Sequence, residues 1–243
     1  MAFEETNVIN TATQIATNIN SIQQRIVQAS ELSERDAKEV QLLAVSKTKP
    51  IALIKEAYHT GQRHFGENYV QESIEKITQI QQDNEFNEKI TWHFIGPLQS
   101  NKTALVATHF DWVQSIDRLK IAQRLSTQRP AELPPLNVCI QVNISEESAK
   151  SGVTSTQALE LAADIKKLPN LTLRGIMAIP EKTDDIQKLE AQFTALFDIY
   201  SALQQQHEGI DTLSMGMSGD LTPAIKCGST MVRIGTYIFG SRA

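Results

Sequence analysis

The feature that most constrains this chain is an alternation of short apolar runs with amphipathic helical segments, beginning near Gln41 and repeating to the last residues. The runs "QLLAVSK" (41–47), "RHFGE" (63–67), "TWHFIG" (91–96), "DWVQSI" (111–116), "NVCIQVNI" (137–144), "LTLRGIMAI" (171–179), "TLSMGM" (212–217) and "TMVRIG" (230–235) have strand length and β-forming content. Between them lie helical segments such as "IALIKEAYHTG", "YVQESIEKITQIQQ" and "TQALELAADIKKL". In "IQKLEAQFTALFDIYSALQQQ" the residues Ile186, Leu189, Phe193, Leu196, Phe197, Tyr200 and Leu203 form a stripe suited to packing on a sheet. Strand–helix alternation implies parallel strands joined by right-handed crossovers. Eight strands, each of the first seven followed by a helix, predict an α/β fold, a single (β/α)8 TIM barrel. An additional N-terminal helix, with Ile15, Ile19, Ile22 and Ile26 at helical spacing, precedes the barrel. An open doubly wound sheet is the competing architecture, but the GxGxxG turn that often marks it is absent after the first strand. No linker or low-complexity stretch interrupts the pattern, so one domain is expected over residues 1–243.

Composition narrows the function classes. At 243 residues the chain can bury a large core without disulfide or metal staples. Its formal charge of −5 argues against a nucleic-acid footprint, which is usually basic. Cys139 and Cys227 lack metal or redox spacing and are expected to be buried small hydrophobes in a reducing compartment. No apolar run reaches the ~20 residues of a membrane span, and the N-terminus has no secretory pattern. The expected location is cytoplasmic. The five histidines include no HExxH, and His93 is expected to be a satisfied interior residue.

In a barrel of this kind the chemistry sits at the C-terminal ends of the strands. Lys47 ends the first strand, where an ammonium either reaches solvent or is wanted for its amine. Asn68 follows the second strand. Period-2 alternation in "MVRIGT" puts Met231, Arg233 and Gly235 on one face, and Arg233 cannot lose its proton, so it needs an anion or an acceptor. An ion pair with a carboxylate at the barrel top is one such partner. Gly216, Gly235 and Gly240 permit close backbone approach, while Ser218 and Thr236 add hydroxyls. Taken alone, these glycines could simply make turns, or could cradle a phosphate. Barrel closure makes the first and eighth strands neighbours. An amine, an arginine and a phosphate cradle facing one cavity are what a pyridoxal 5′-phosphate site requires.

The motifs "LLAVSKTKP", "HFGENYVQE", "WHFIGPLQSNK", "LRGIMAIP", "LSMGMSGD" and "GSTMVRIGTYIFGSR" resemble the YggS/PROSC family of pyridoxal phosphate homeostasis proteins, from Leu42 to Arg242. The resemblance implies the barrel of alanine racemase without its second, β-rich domain. It implies cofactor held as a Schiff base on Lys47, phosphate contacts from Ser218, Gly235 and Thr236, and a pyridine-nitrogen contact from Arg233. Asn68 completes the expected cofactor-binding set. Gly219, Pro223 and Cys227 depart from the family's usual residues without touching these positions.

Two function classes follow. The first is a non-catalytic carrier that buffers or delivers pyridoxal phosphate, with apo forms of pyridoxal phosphate-dependent enzymes as transient clients. A monomer without nucleic-acid or membrane partners is expected. The second is an amino-acid racemase or related enzyme, which needs a proton-transferring group on each face of the substrate. Tyr69, His93 and Tyr237 are the candidates for the second group, none of them obvious. A cofactor-free Schiff-base aldolase is a third reading, against which the motifs count.

Overall fold

The computed structural model describes residues 2–144, 151–181 and 183–240, with side chains from residue 13 onward. Ser241 and Arg242, the end of the last motif, lie outside the described residues. Helix α1 (Ala2–Glu31) leads into β1 (Gln41–Val45), α2 (Ile51–His59), β2 (His64–Glu67), α3 (Val70–Gln81), β3 (Thr91–Phe94) and α4 (Thr103–His109). The chain continues through β4 (Trp112–Ile116), α5 (Leu119–Gln128), β5 (Leu136–Val142), α6 (Ser155–Ile165), β6 (Leu171–Ala178) and α7 (Ile186–Gln206). It closes with β7 (Thr212–Ser214), α8 (Leu221–Lys226), β8 (Met231–Ile234) and α9 (Thr236–Phe239). The strands pair in chain order, all parallel, and β8 returns to β1 with Leu43 opposite Arg233.

All eight expected strands form, and their ends are trimmed. β1 stops at Val45, so Lys47 stands in the following turn rather than on the strand, and β7 keeps only three of its six expected residues. The eighth strand also has a helix of its own, α9, which the alternation did not reveal because it is one turn long.

The main core lies between the barrel wall and the helices. Along α7, Phe193, Leu196, Ile199, Tyr200 and Leu203 are buried, whereas Ile186 and Phe197 are exposed. Ile186 opens the helix beyond the sheet, and Phe197 covers Gly228, where an added Cβ would lie 2.4 Å from its ring. Helix α1 packs across α8, α9 and α2, over the closure between the last and first strands. Its Ile15, Ile19, Ile22 and Ile26 are almost wholly buried. Truncating one of these to alanine would cost about 2–5 kcal/mol.

Inside the barrel the filling is mixed. Trp112, Cys139 and Met177 form a small apolar cluster, beside buried Gln114, His93, Ser214 and Arg233. Cys139 is buried as expected, and burial pushes its thiol pKa up; Cys227 is only partly buried. No described helix is long and apolar enough to cross a membrane, and the described residues contain no cluster of metal-ligating side chains.

Candidate functional site at the barrel mouth

A cavity of about 240 Å³ opens at the C-terminal ends of β1, β2, β7 and β8. All six residues expected to bind a ligand line it: Lys47, Asn68, Ser218, Arg233, Gly235 and Thr236. Val45, Ile95, Met177, Ile179 and Met217 supply the apolar remainder of the wall. Strands three to eight residues long, tied by closure, bring together positions separated by most of the chain.

Lys47 sits half-buried in a turn whose next residue, Thr48, has a left-handed backbone (φ 61°). A β-branched residue rarely adopts that conformation, and it costs on the order of 1–3 kcal/mol. Side chains from β2 and α3 hold the turn in place. The Thr48 N–H donates to Glu72 Oε1 at 2.6 Å, and the Ser46 hydroxyl donates to Glu67 Oε1 at 2.6 Å. Lys76 Nζ joins the two sides, donating to Glu67, to Glu72 and to the Ser46 carbonyl at 3.0, 2.5 and 2.9 Å. Glu67 is wholly buried, and that burial raises its pKa against the opposing pull of Lys76 and Ser46.

Arg233 is anchored differently. Its Nη1 donates to the Ser214 carbonyl at 2.7 Å and to Ser214 Oγ at 2.8 Å, and its Nη2 donates to the Ala178 carbonyl at 2.8 Å. Among the described residues the ion pair considered from sequence does not form; neutral oxygens take its place. Burial lowers the guanidinium pKa to about 10, the Asp220 carboxylate opposing.

The remaining wall comes from two turns. After β7, Gly216 takes φ 96°, and an added Cβ would lie 2.6 Å from Ala224 Cβ, so glycine is required there. The Met217 N–H donates to the Asp220 carboxylate, and the Ser218 carbonyl accepts from Arg25 of α1 at 3.0 Å. After β8, a Cβ on Gly235 would lie 3.2 Å from the Val45 carbonyl, so this glycine lets the start of α9 close onto β1. The first N–H groups of a helix have no intrahelical acceptor and favour an anion. Across the cavity, buried Asn68 Oδ1 has no hydrogen-bond partner among the described residues. An amine, a fixed guanidinium, a glycine-lined turn with hydroxyls and an unpaired amide oxygen fit the donor set that pyridoxal phosphate needs.

Residues 13–243 match the family model described as alanine racemase, N-terminal domain. The pyridoxal phosphate homeostasis protein of Haemophilus influenzae is 55% identical over 93% of this chain and 94% of its own length. The chain belongs to the pyridoxal phosphate homeostasis protein family. The Escherichia coli K12 member is 52% identical over 94% of this chain and 97% of that protein. Among solved structures, PipY of Synechococcus elongatus with pyridoxal phosphate bound superposes with a TM-score of 0.79, at 34% identity over 93% of this chain and all of that one.

Sequence reasoning missed the Glu67–Lys76–Glu72 clamp. Glu67 stood in view as a strand end, but Lys76 reads as one more polar position on an amphipathic helix. It also missed the buried amide and hydroxyl of Gln114 and Ser214, whose inward direction only barrel closure reveals. His93 is the interior residue expected, fully buried with both ring nitrogens engaged. Tyr69, His93 and Tyr237 all lie outside the cavity wall, and the Tyr237 hydroxyl is paired with Ser21 Oγ at 3.0 Å.

Proposed function

We propose that the chain binds pyridoxal 5′-phosphate in this cavity, as a Schiff base on Lys47, and buffers or delivers the cofactor inside the cell without catalytic turnover. The observation that carries the reading is the convergence of Lys47, Arg233 and the Ser218–Gly235–Thr236 turns on one cavity, in a family whose members are named for pyridoxal phosphate homeostasis. When bound, the group supplies an aldehyde able to hold an amine and a ring able to withdraw electrons. Lys47 offers the amine. Ser218, Thr236 and the backbone at Gly235 take the phosphate by charge-assisted hydrogen bonds. Arg233 turns a donor toward the ring nitrogen and, as a permanent cation, keeps that nitrogen unprotonated, which weakens the ring as an electron sink. Asn68 offers its amide oxygen to a ring substituent.

The non-catalytic reading is supported by the composition of the wall. Among the described residues lining the cavity, Lys47 is the one side chain suited to general-base work. Racemisation needs a second such group on the opposite face. Carriage instead needs a site that opens to client enzymes, and the mouth is rimmed by exposed Ile179 and Met217.

The test is borohydride reduction of the purified protein after incubation with pyridoxal phosphate, followed by peptide mapping. The adduct is expected on the peptide containing "LLAVSKTK", at Lys47, together with loss of the visible absorption band. Labelling mainly at Lys49 or Lys102 would overturn the assignment. Pyridoxal lacking its phosphate should bind at least tenfold more weakly; equal affinity would remove the phosphate cradle from the proposal.

A further inference from the structure

Four buried or half-buried side chains form a continuous chain of hydrogen bonds down the barrel axis beneath Arg233. Ser214 Oγ lies 2.7 Å from Gln114 Oε1, Gln114 Nε2 lies 3.0 Å from His93 Nδ1, and His93 Nε2 lies 3.0 Å from His64 Nδ1. His64 begins β2 at the opposite, N-terminal end of the barrel, where it lines a separate cavity with Lys89, Asp111, Arg129 and Arg174. Ser214, Gln114 and His93 are wholly buried.

The hydrogen positions in this chain follow from its upper end. A guanidinium only donates, so Ser214 Oγ accepts from Arg233 and spends its own hydrogen on Gln114 Oε1. That fixes the Gln114 amide: its NH2 faces His93 Nδ1, and its other hydrogen meets Met231 Sδ at 3.1 Å. His93 Nδ1 is then an acceptor, so the ring is neutral and carries its proton on Nε2, which donates to His64 Nδ1. Every bond points the same way, from Arg233 to the far end. The surroundings agree, since burial above all, with repulsion from Arg174 and from His64 were it to be protonated, holds the His93 pKa well below the ordinary value. The Trp112 ring stacks on His93 at 5.0 Å, with the Arg174 guanidinium 4.7 Å from that indole, which keeps the imidazole plane in register.

We infer that Ser214, Gln114 and His93 are positioning residues for Arg233. The His93 tautomer holds the amide of Gln114, the amide orients the Ser214 hydroxyl, and the hydroxyl presents a lone pair to Nη1 of the guanidinium. If the amide turned over, its NH2 would donate to Ser214 Oγ in competition with Arg233, the Ser214 hydrogen would lose its buried acceptor, and the Gln114 oxygen would face the His93 Nδ1 lone pair. The Ser214 and Ala178 carbonyls would then be the guanidinium's only uncontested acceptors among the described residues, and its remaining N–H groups would be less firmly aimed at a ligand. The link to a ligand rests on the function proposed above; the direction of the relay does not.

Two measurements on the full-length protein test it. The first is long-range proton–nitrogen NMR of 15N-histidine-labelled protein without added ligand. His93 should be neutral with its proton on Nε2, unchanged across the range where exposed histidines titrate. A proton on Nδ1, or a His93 titration near the ordinary value, would overturn the relay whether or not the protein binds pyridoxal phosphate. The second compares pyridoxal phosphate affinity in Ser214→Ala and Ser214→Thr. Losing a hydrogen bond to a charged group should weaken binding about tenfold to a hundredfold in Ser214→Ala, and the threonine hydroxyl should restore most of it. Wild-type affinity in Ser214→Ala, or equal loss in both variants, would remove the positioning role. Absence of pyridoxal phosphate binding in the wild type would instead count against the function proposed above, leaving the NMR result to decide the relay.

Discussion

The two cationic residues of the cavity are held by opposite means. The turn carrying Lys47 is fastened by a charged cluster, with one ammonium, Lys76, between two carboxylates, Glu67 and Glu72. Arg233 is fastened by three neutral oxygens and a relay of uncharged dipoles. On the function proposed above, the difference follows from what each residue would have to do. Lys47 would give up its proton to act as an amine, and the charges that fix its turn are directed at the neighbouring Ser46 and Thr48. Arg233 would remain a cation, and dipoles orient it without a carboxylate that would use up its donors. A site for one ligand thus joins an ionic hinge to a neutral socket.

Removing Lys76 should break the ionic side most severely. Lys76→Met leaves the Glu67 carboxylate buried without a cation, and losing one partner of such a pair typically costs about 3–5 kcal/mol. Urea unfolding should show a loss of that size, and a loss below ~1 kcal/mol would mean that Glu67 carries no charge to be compensated. Arg233→Met is the matching change on the neutral side. It removes a desolvated cation as well as its hydrogen bonds, so stability should fall by only about 1–3 kcal/mol while pyridoxal phosphate affinity collapses. A larger stability loss than in Lys76→Met would reverse the comparison.

The two sides should also respond oppositely to pH. Burial lowers the pKa of His64 and His93 from the usual 6.5, so the folded state binds fewer protons than the unfolded chain. Their support is therefore complete above pH 6.5 and is lost as the pH falls below it. Burial raises the Glu67 pKa from 4.5, so its contribution is present below that value and declines as the pH rises through the folded-state pKa. Unfolding midpoints at pH 5.5 and 7.5 should differ in favour of the higher pH, and His93→Gln should narrow the gap. An unchanged gap would assign the acid sensitivity to other groups. The smallest effect belongs to catalysis. With L-alanine in deuterated water the protein should yield no D-alanine, since Lys47 can return a proton only to the face it came from. Turnover at the ~1 s⁻¹ or faster typical of enzymes would bring a second base into the cavity and end the carrier reading.

Much of this was legible in the sequence, for identifiable reasons. The strands are short and apolar, the helices amphipathic, and both periods survive in the letters, so the barrel follows by counting. The six residues expected to bind a ligand stand at or just beyond strand ends, which a parallel barrel gathers in one place whatever the loops between them do. What stayed hidden depended on which way a polar side chain turns. Gln114 within "DWVQSI" and Lys76 within "SIEKITQ" look like solvent-facing positions, yet one lies in the barrel interior and the other under the Lys47 turn. Strand ends were overestimated because "MGM" after β7 continues the apolar texture, and no Gly or Pro separates "SK" from β1, while the backbone already bends. Phe197 fits the helical stripe by spacing, and Gly228 draws it outward instead.

The pairing of β1 with β8 also has a consequence for how the protein is made. Lys47 leaves the ribosome long before Arg233, although their strand neighbourhoods pair in the finished barrel. At roughly 5–20 residues per second, about 10–40 s of synthesis separate them. Throughout that interval the lysine is present without the arginine, the Ser218 turn or the closing strand. A chain made only that far therefore has an amine but no pocket, and on the function proposed above selective capture of a reactive aldehyde must wait until β8 has been made.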